Sequence, residues 1–151
     1  MSRSRLLPLV LLAVVACDAS DPLVPEIDFD PHVEQFVSLL NAHRADVGCS
    51  ALVWNGAVAE VAQAHSVDMA TRSFFSHTNP DGKSPFDRLS EAGVAFSSAG
   101  ENIAHGYPTA AAVLAGWLDS PGHRANIENC ALTQHGVGLH AARWTHVFIR
   151  P

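Results

Sequence analysis

Two imidazoles and one carboxylate, His77, Glu101 and His123, carry the chemistry this 151-residue chain most plainly advertises. They lie in three polar stretches: Phe75-Ser76-His77-Thr78-Asn79-Pro80-Asp81-Gly82, Gly100-Glu101-Asn102-Ile103-Ala104 and Ser120-Pro121-Gly122-His123-Arg124-Ala125-Asn126-Ile127. Each reads as a turn, and three converging turns would build one cleft from His77, Glu101, His123, Ser120 and Asn126. Such a set suits a divalent ion such as zinc, with one coordination position left for water. The same three side chains can instead form a hydrogen-bonded cluster that orders the loops, and spacing alone leaves both readings open. No H-E-x-x-H and no G-x-S-x-G is present. Ser120 and His123 are three apart but separated by proline and glycine, which argues against a hydrolytic serine.

The elements that must position these residues follow from periodicity. Val33, Phe36, Val37 and Leu40 have helical spacing, so a first helix is expected to about residue 45, stopped by Gly48. Leu52-Val53-Trp54 reads as a brief apolar connector. Asn55 suits an N-cap for a second helix carrying Val58, Val61, Ala62, His65 and Met69 on one face. His65 on that stripe reads as a core or boundary histidine. Ser84-Pro85 opens a short helix, with Phe86 and Leu89 expected inward and Gly93 at its end. Thr109 can cap a further helix with Val113, Leu114 and Trp117 inside, broken at Pro121-Gly122. From Gly136 the period changes to two, and Trp144 begins another strand-like run, so a hairpin through Ala141-Ala142-Arg143 is expected. His105, His135, His140 and His146 read mostly as surface or strand-face residues. Helices first and strands later point to an α+β fold.

The N-terminus reads as a targeting segment. Ser2-Arg3-Ser4-Arg5 is basic, and residues 6–16 form an apolar run too short to span a bilayer as a helix. Val14-Val15-Ala16-Cys17 resembles a bacterial lipobox, so residues 1–16 are expected to be a lipoprotein-type signal peptide and Cys17 a lipidation site. Residues 17–30, with prolines and aspartates and little apolar pattern, read as a tether, and residues 31–151 as the domain. Cleavage before Cys17 would leave 135 residues with 7 basic against 15 acidic side chains, a formal charge of −8. Such a domain is a poor nucleic-acid binder. A membrane contact through the lipid and an unidentified ligand or envelope partner are the expected associations. Cys49 and Cys130 suggest a disulfide in an exported chain, with a pair of buried thiols as the rival.

Several stretches together resemble a known family. They are Asn41-Ala42-His43-Arg44, Ala64-His65-Ser66 with Asp68-Met69, Phe75-Ser76-His77-Thr78, Gly100-Glu101-Asn102-Ile103-Ala104, and the run from Trp117 through Ile127. Gly136-Val137-Gly138 and Trp144-Thr145-His146-Val147-Phe148 complete the set. In order and from about residue 31 onward, they look like the bacterial, SCP-like branch of the superfamily of cysteine-rich secretory, antigen 5 and pathogenesis-related (CAP) proteins. The resemblance implies an α-β-α sandwich with a small antiparallel sheet between helical layers. It also implies a cleft of two histidines and two acidic residues that holds a divalent cation in some members. By motif, His77 matches the first histidine, Glu101 the first acid and His123 the second histidine. Ser120 stands where eukaryotic members carry the second glutamate, and His146 replaces the usual strand glutamine. Members differ widely in role, and most have no established enzymatic activity. The expectation drawn is a non-enzymatic binding module at the cell envelope, periplasmic, surface-bound or secreted. The alternative is a metal-dependent hydrolase of envelope peptide or glycan.

Overall fold

The computed structural model describes residues 30–151. Residues 1–29, which hold the expected signal peptide, the expected lipidation site Cys17 and all but the last residue of the expected tether, lie outside the described residues. Helix α1 (Pro31–Asp46) starts at Asp30, whose carboxylate accepts from the His32 amide, with Pro31 in the first turn where its missing N–H costs nothing. It ends as expected at Gly48 (φ 83°). There the Gly48 amide donates to Ala45 and the Cys49 amide to Arg44, the paired bonds that a left-handed residue after a helix permits. The connector is a two-residue strand, β1 (Val53–Trp54). Asn55 caps α2 (Gly56–Thr71) through the Val58 amide. Ser84 and Asp87 form a reciprocal capping box on α3 (Pro85–Glu91), and Thr109 caps α4 (Ala110–Asp119). Pro121 both ends that helix and opens α5 (Pro121–Ile127).

Strands β3 (Gln134–His140) and β4 (Arg143–Arg150) form the hairpin, with Ala141 and Ala142 alone in the turn and Arg143 already paired with His140. Both alanines have positive φ, 47° and 57°. The polar stretch around Glu101 is not a turn. It is strand β2 (Ser98–His105), antiparallel to β4 over eight residue pairs. Gly100 and Asn102 disguise it, because neither favours a strand and each is there for a contact across the sheet face. The sheet order is β1-β3-β4-β2, with only the outer β1–β3 pairing parallel.

Helices cover both faces, giving the α-β-α sandwich. Residues two apart on a strand share a face, so β4 sends Trp144 and Phe148 to the core shared with α1, α4 and α5. Val147 and Ile149 go to the core shared with α2 and α3. Glycines on β3 let α2 lie directly on the sheet: a Cβ at Gly136 would fall 2.1 Å from the Ala59 nitrogen, and one at Gly138 would fall 2.3 Å from the Gln63 nitrogen. Phe86, expected inward, is 48% exposed, while Pro85 and Leu89 are buried. One residue of helix rotates the side chain by about 100°, so Phe86 leaves the inward face that Pro85 and Leu89 share. It lies 6.3 Å, ring to ring, from Phe96.

Cys49 and Cys130 are joined in a disulfide that links residues 81 apart in sequence. It fastens the end of α1 to the loop between α5 and β3. Arg44, 1% exposed, holds the same loop from inside. Its guanidinium donates to the carbonyls of Ser50, Ile127, Asn129 and Leu132. Asn41 exchanges hydrogen bonds with the Leu52 backbone, and His43 meets Glu128 at 3.0 Å. The Asn41-Ala42-His43-Arg44 motif is therefore structural.

Candidate functional site

Glu101 sits on β2 opposite Val147, so its side chain turns to the α2/α3 face of the sheet. That side chain is 2% exposed, and both oxygens are engaged. His77 Nδ1 contacts Oε1 at 2.8 Å, and an Arg88 guanidinium nitrogen donates to Oε2 at 2.6 Å. A carboxylate only accepts, so the His77 proton resides on Nδ1. Arg88 continues past Glu101 and donates to the carbonyls of His77 and Lys83. From α2, His65 Nε2 meets the Ser76 carbonyl at 3.0 Å. His65 is 1% exposed, as a core histidine on that stripe should be. Burial pushes its pKa below the ordinary imidazole value, while the Glu101 charge pulls the other way. Three elements thus grip residues 76–83 through buried polar groups.

This grip fixes the loop that carries Phe75. The loop leaves α2 through Ser73 at φ 55°, and Phe75 is left 53% exposed. Phe75 forms one wall of a cavity of about 420 Å³ that is also lined by Tyr107, His105, Trp117, Ser120 and His123. Phe75 and His105 lie 6.2 Å apart, ring to ring. Tyr107 is set by Gly116: a Cβ there would meet the Tyr107 hydroxyl at 2.5 Å, so only glycine lets the ring lie on α4. The Trp117 indole donates to the Ile103 carbonyl, which anchors the cavity floor to β2.

His123 reaches this cavity from the first turn of α5. Its helix is locked to β2 by two amides. Asn102 donates to the His123 carbonyl at 3.0 Å, and Asn126 donates to the Asn102 side chain at 2.8 Å and to the Glu101 carbonyl at 3.3 Å. Gly100 makes room, since a Cβ there would lie 2.8 Å from Asn126 Oδ1. Burial, and next the nearby His77, hold the His123 pKa below its ordinary value.

The structure therefore bonds His77 to Glu101, puts Ser120 and His123 on the adjoining cavity, and uses Asn126 as a brace. Only His77 comes from a loop; Glu101 is on a strand and His123 on a helix. The three do not present a metal-ligand set. Glu101 already has a guanidinium as its countercharge, and no group of three or more His, Cys, Asp or Glu side chains among the described residues is arranged to hold a metal ion. The residues present do not fit a resident divalent ion with Glu101 as ligand.

Sequence reasoning missed Arg88, Phe75 and Tyr107. Arg88 was legible in principle, being three after Pro85 and one before Leu89, on the inward side of α3. It also missed a buried pair on the other face of the sheet. His135 and His146, both fully buried, meet Nδ1 to Nε2 at 3.0 Å against Phe36 and Phe148. Their other ring nitrogens, His135 Nε2 and His146 Nδ1, have no hydrogen-bond partner. Burial, and then the Arg44 charge, lower the His135 pKa to about 4. Burial, His135 and Arg44 hold His146 well below its ordinary value.

Residues 37–147 match the model of the cysteine-rich secretory protein family, CAP. The chain is 41% identical over 117 residues to the uncharacterized membrane protein YlbC of Bacillus subtilis (strain 168), covering 78% of this chain and 34% of that protein. It is 38% identical over 118 residues to the uncharacterized protein YkwD of the same organism, covering 77% and 46%. The chain thus spans less than half the length of these relatives. An extracellular protein containing a SCP domain from Bacillus anthracis superposes with TM-score 0.77 at 39% identity, covering 80% of this chain and 40% of that one. An outer surface protein from Borrelia burgdorferi superposes with TM-score 0.75 at 19% identity, covering 82% and 96%, a likeness of fold alone. On the matched span and these identities, the chain belongs to the cysteine-rich secretory protein (CAP) family.

Proposed function

We propose that this chain is an exported, non-enzymatic binding domain of the cell envelope, and that its ligand occupies the cavity between Phe75 and Tyr107. The observation that carries the reading is the pinned wall. Phe75 stands exposed at the rim of an open cavity of about 420 Å³. The loop bearing it is held by the buried Glu101 carboxylate, which bonds Arg88 on one oxygen and the half-exposed His77 ring on the other. Pre-formed concave sites with aromatic walls and a few polar groups are how small molecules are bound, and a wall fixed in advance does not have to be ordered on binding. Hydrolysis with Glu101 as base would need a carboxylate oxygen open to water, and both are taken. Export is supported by the Cys49–Cys130 disulfide, by the basic and apolar N-terminal segment, and by the extracellular description of the Bacillus anthracis neighbour. Lipidation at Cys17 would add membrane attachment without a transmembrane helix.

The test is nuclear magnetic resonance mapping on the full chain. Soluble glycan fragments, stem peptides and envelope lipids are added in turn. At least one class should shift the amides of Phe75, His105, Tyr107 and Ser120 saturably without being cleaved. Shifts confined to another face, or cleavage of an added compound, would overturn the reading. Cys17→Ser should release the protein from membranes; unchanged retention would remove the anchor from the account.

A further inference from the structure

We infer that the cavity between Phe75 and Tyr107 is built for a neutral sugar, held with the flat C–H face of its ring against an aromatic wall. This rests on the cavity being the ligand site. Among the described residues no Asp, Glu, Lys or Arg lines the cavity. A charged ligand would be desolvated there without a countercharge, which is costly. His123 does not supply one at neutral pH, because burial and the neighbouring His77 favour its uncharged form.

Phe75 is 53% exposed and Tyr107 36%, so ring faces are available, and Tyr107 is held flat by the absence of a side chain at Gly116. Aromatic rings of this kind offer apolar area with little conformational entropy to lose, and tyrosine adds a polar tip. The Ser120 hydroxyl makes no capping bond although it stands at the N-cap of α5. Neither it nor the His123 ring is hydrogen-bonded among the described residues. A neutral imidazole and a hydroxyl each both donate and accept, which matches vicinal sugar hydroxyls. A bare acyl chain would leave these groups buried and unsatisfied.

The probe is N-acetylchitotriose, an uncharged oligosaccharide, titrated into the full chain and followed by amide shifts. Saturable shifts at Phe75, Tyr107 and Ser120 are expected. Phe75→Ala should weaken binding by about tenfold, the loss of one stacking contact, and Phe86→Ala, an exposed phenylalanine elsewhere, should leave it unchanged. Because Phe75 is exposed, its melting temperature should not move. Three results bear against the inference. If a phosphatidylglycerol vesicle or a stem tetrapeptide shifts these amides and the sugar does not, the sugar assignment falls and the cavity keeps its binding role. If none of the three probes shifts them, both fall. Sugar shifts indifferent to Phe75→Ala would also overturn the stacking geometry.

Discussion

Arg88 of α3 meets Glu101 of β2 at 2.6 Å, with the carboxylate side chain 2% exposed and the guanidinium side chain 10% exposed. An ion pair this buried contributes less net stability than its geometry suggests, because both charges lose water. Removing one partner is a different matter. Arg88→Met leaves a buried carboxylate facing only His77 and frees the carbonyls of His77 and Lys83. It should cost about 3–5 kcal/mol in urea unfolding. A cost below about 1 kcal/mol would mean that the pair is solvated.

The same pairing governs metal behaviour. Because a guanidinium already neutralises Glu101, the full chain should show no zinc uptake that depends on that residue. Calorimetric titration of wild-type and Glu101→Gln protein should give indistinguishable isotherms, and chelator should leave the melting temperature in place. Stoichiometric zinc binding abolished by Glu101→Gln would contradict this.

Acid should loosen the opposite face of the sheet. His135 and His146 face each other, Trp54 of β1, Phe36 of α1 and Trp117 of α4; the charged group bearing on them is Arg44 of α1, a cation. Among the described residues no carboxylate bears on the pair to welcome a proton. Both folded pKa values lie below the ordinary 6.5, His135 at about 4. The unfolded chain therefore takes up protons first. The contribution to stability is complete above about pH 6.5 and is lost as the pH falls towards 4, by about 1.4 kcal/mol per pH unit for each histidine. Urea midpoints measured from pH 7 to pH 5 should show this slope, and His146→Gln should flatten it. An unchanged slope in the variant would assign the acid sensitivity elsewhere.

The β3–β4 turn holds Ala141 and Ala142 at positive φ, a conformation that costs an alanine roughly 1–2 kcal/mol. Two-residue hairpins of this kind favour Asn-Gly. Replacing Ala141-Ala142 with Asn-Gly should stabilise the domain by about 1–3 kcal/mol. Loss of stability would mean that the turn is held by contacts to those methyl groups.

What the sequence disclosed followed from local chemistry. Asn55, Ser84 and Thr109 mark helix starts because their side chains satisfy amides two or three residues on, and each does so here. Gly48 and Gly93 mark ends because only positive φ closes the last turn. Glu101 looks like a turn residue in the sequence because Gly100 and Asn102 look unlike strand residues. Gly100 is there so that Asn126 can lie against it, a contact 26 positions away that no local pattern encodes. His135 and His146 read as strand-face residues for a related reason. Period two says which face a residue takes, and only the helices on both sides bury it. Arg88 is hidden in the sequence because a charge on a short helix ordinarily faces water.

The central claim is that Glu101 fastens the loop carrying Phe75. Amide hydrogen exchange tests it directly at Phe74, which donates to the Met69 carbonyl in the last turn of α2, and at Asn79, which donates to the Lys83 carbonyl within the loop. In Glu101→Gln these two amides should exchange about tenfold faster or more, while the β4 amides beyond the contact keep their protection. Unchanged exchange at Phe74 and Asn79 in a folded Glu101→Gln protein would show that the loop holds itself and that the carboxylate serves some other end.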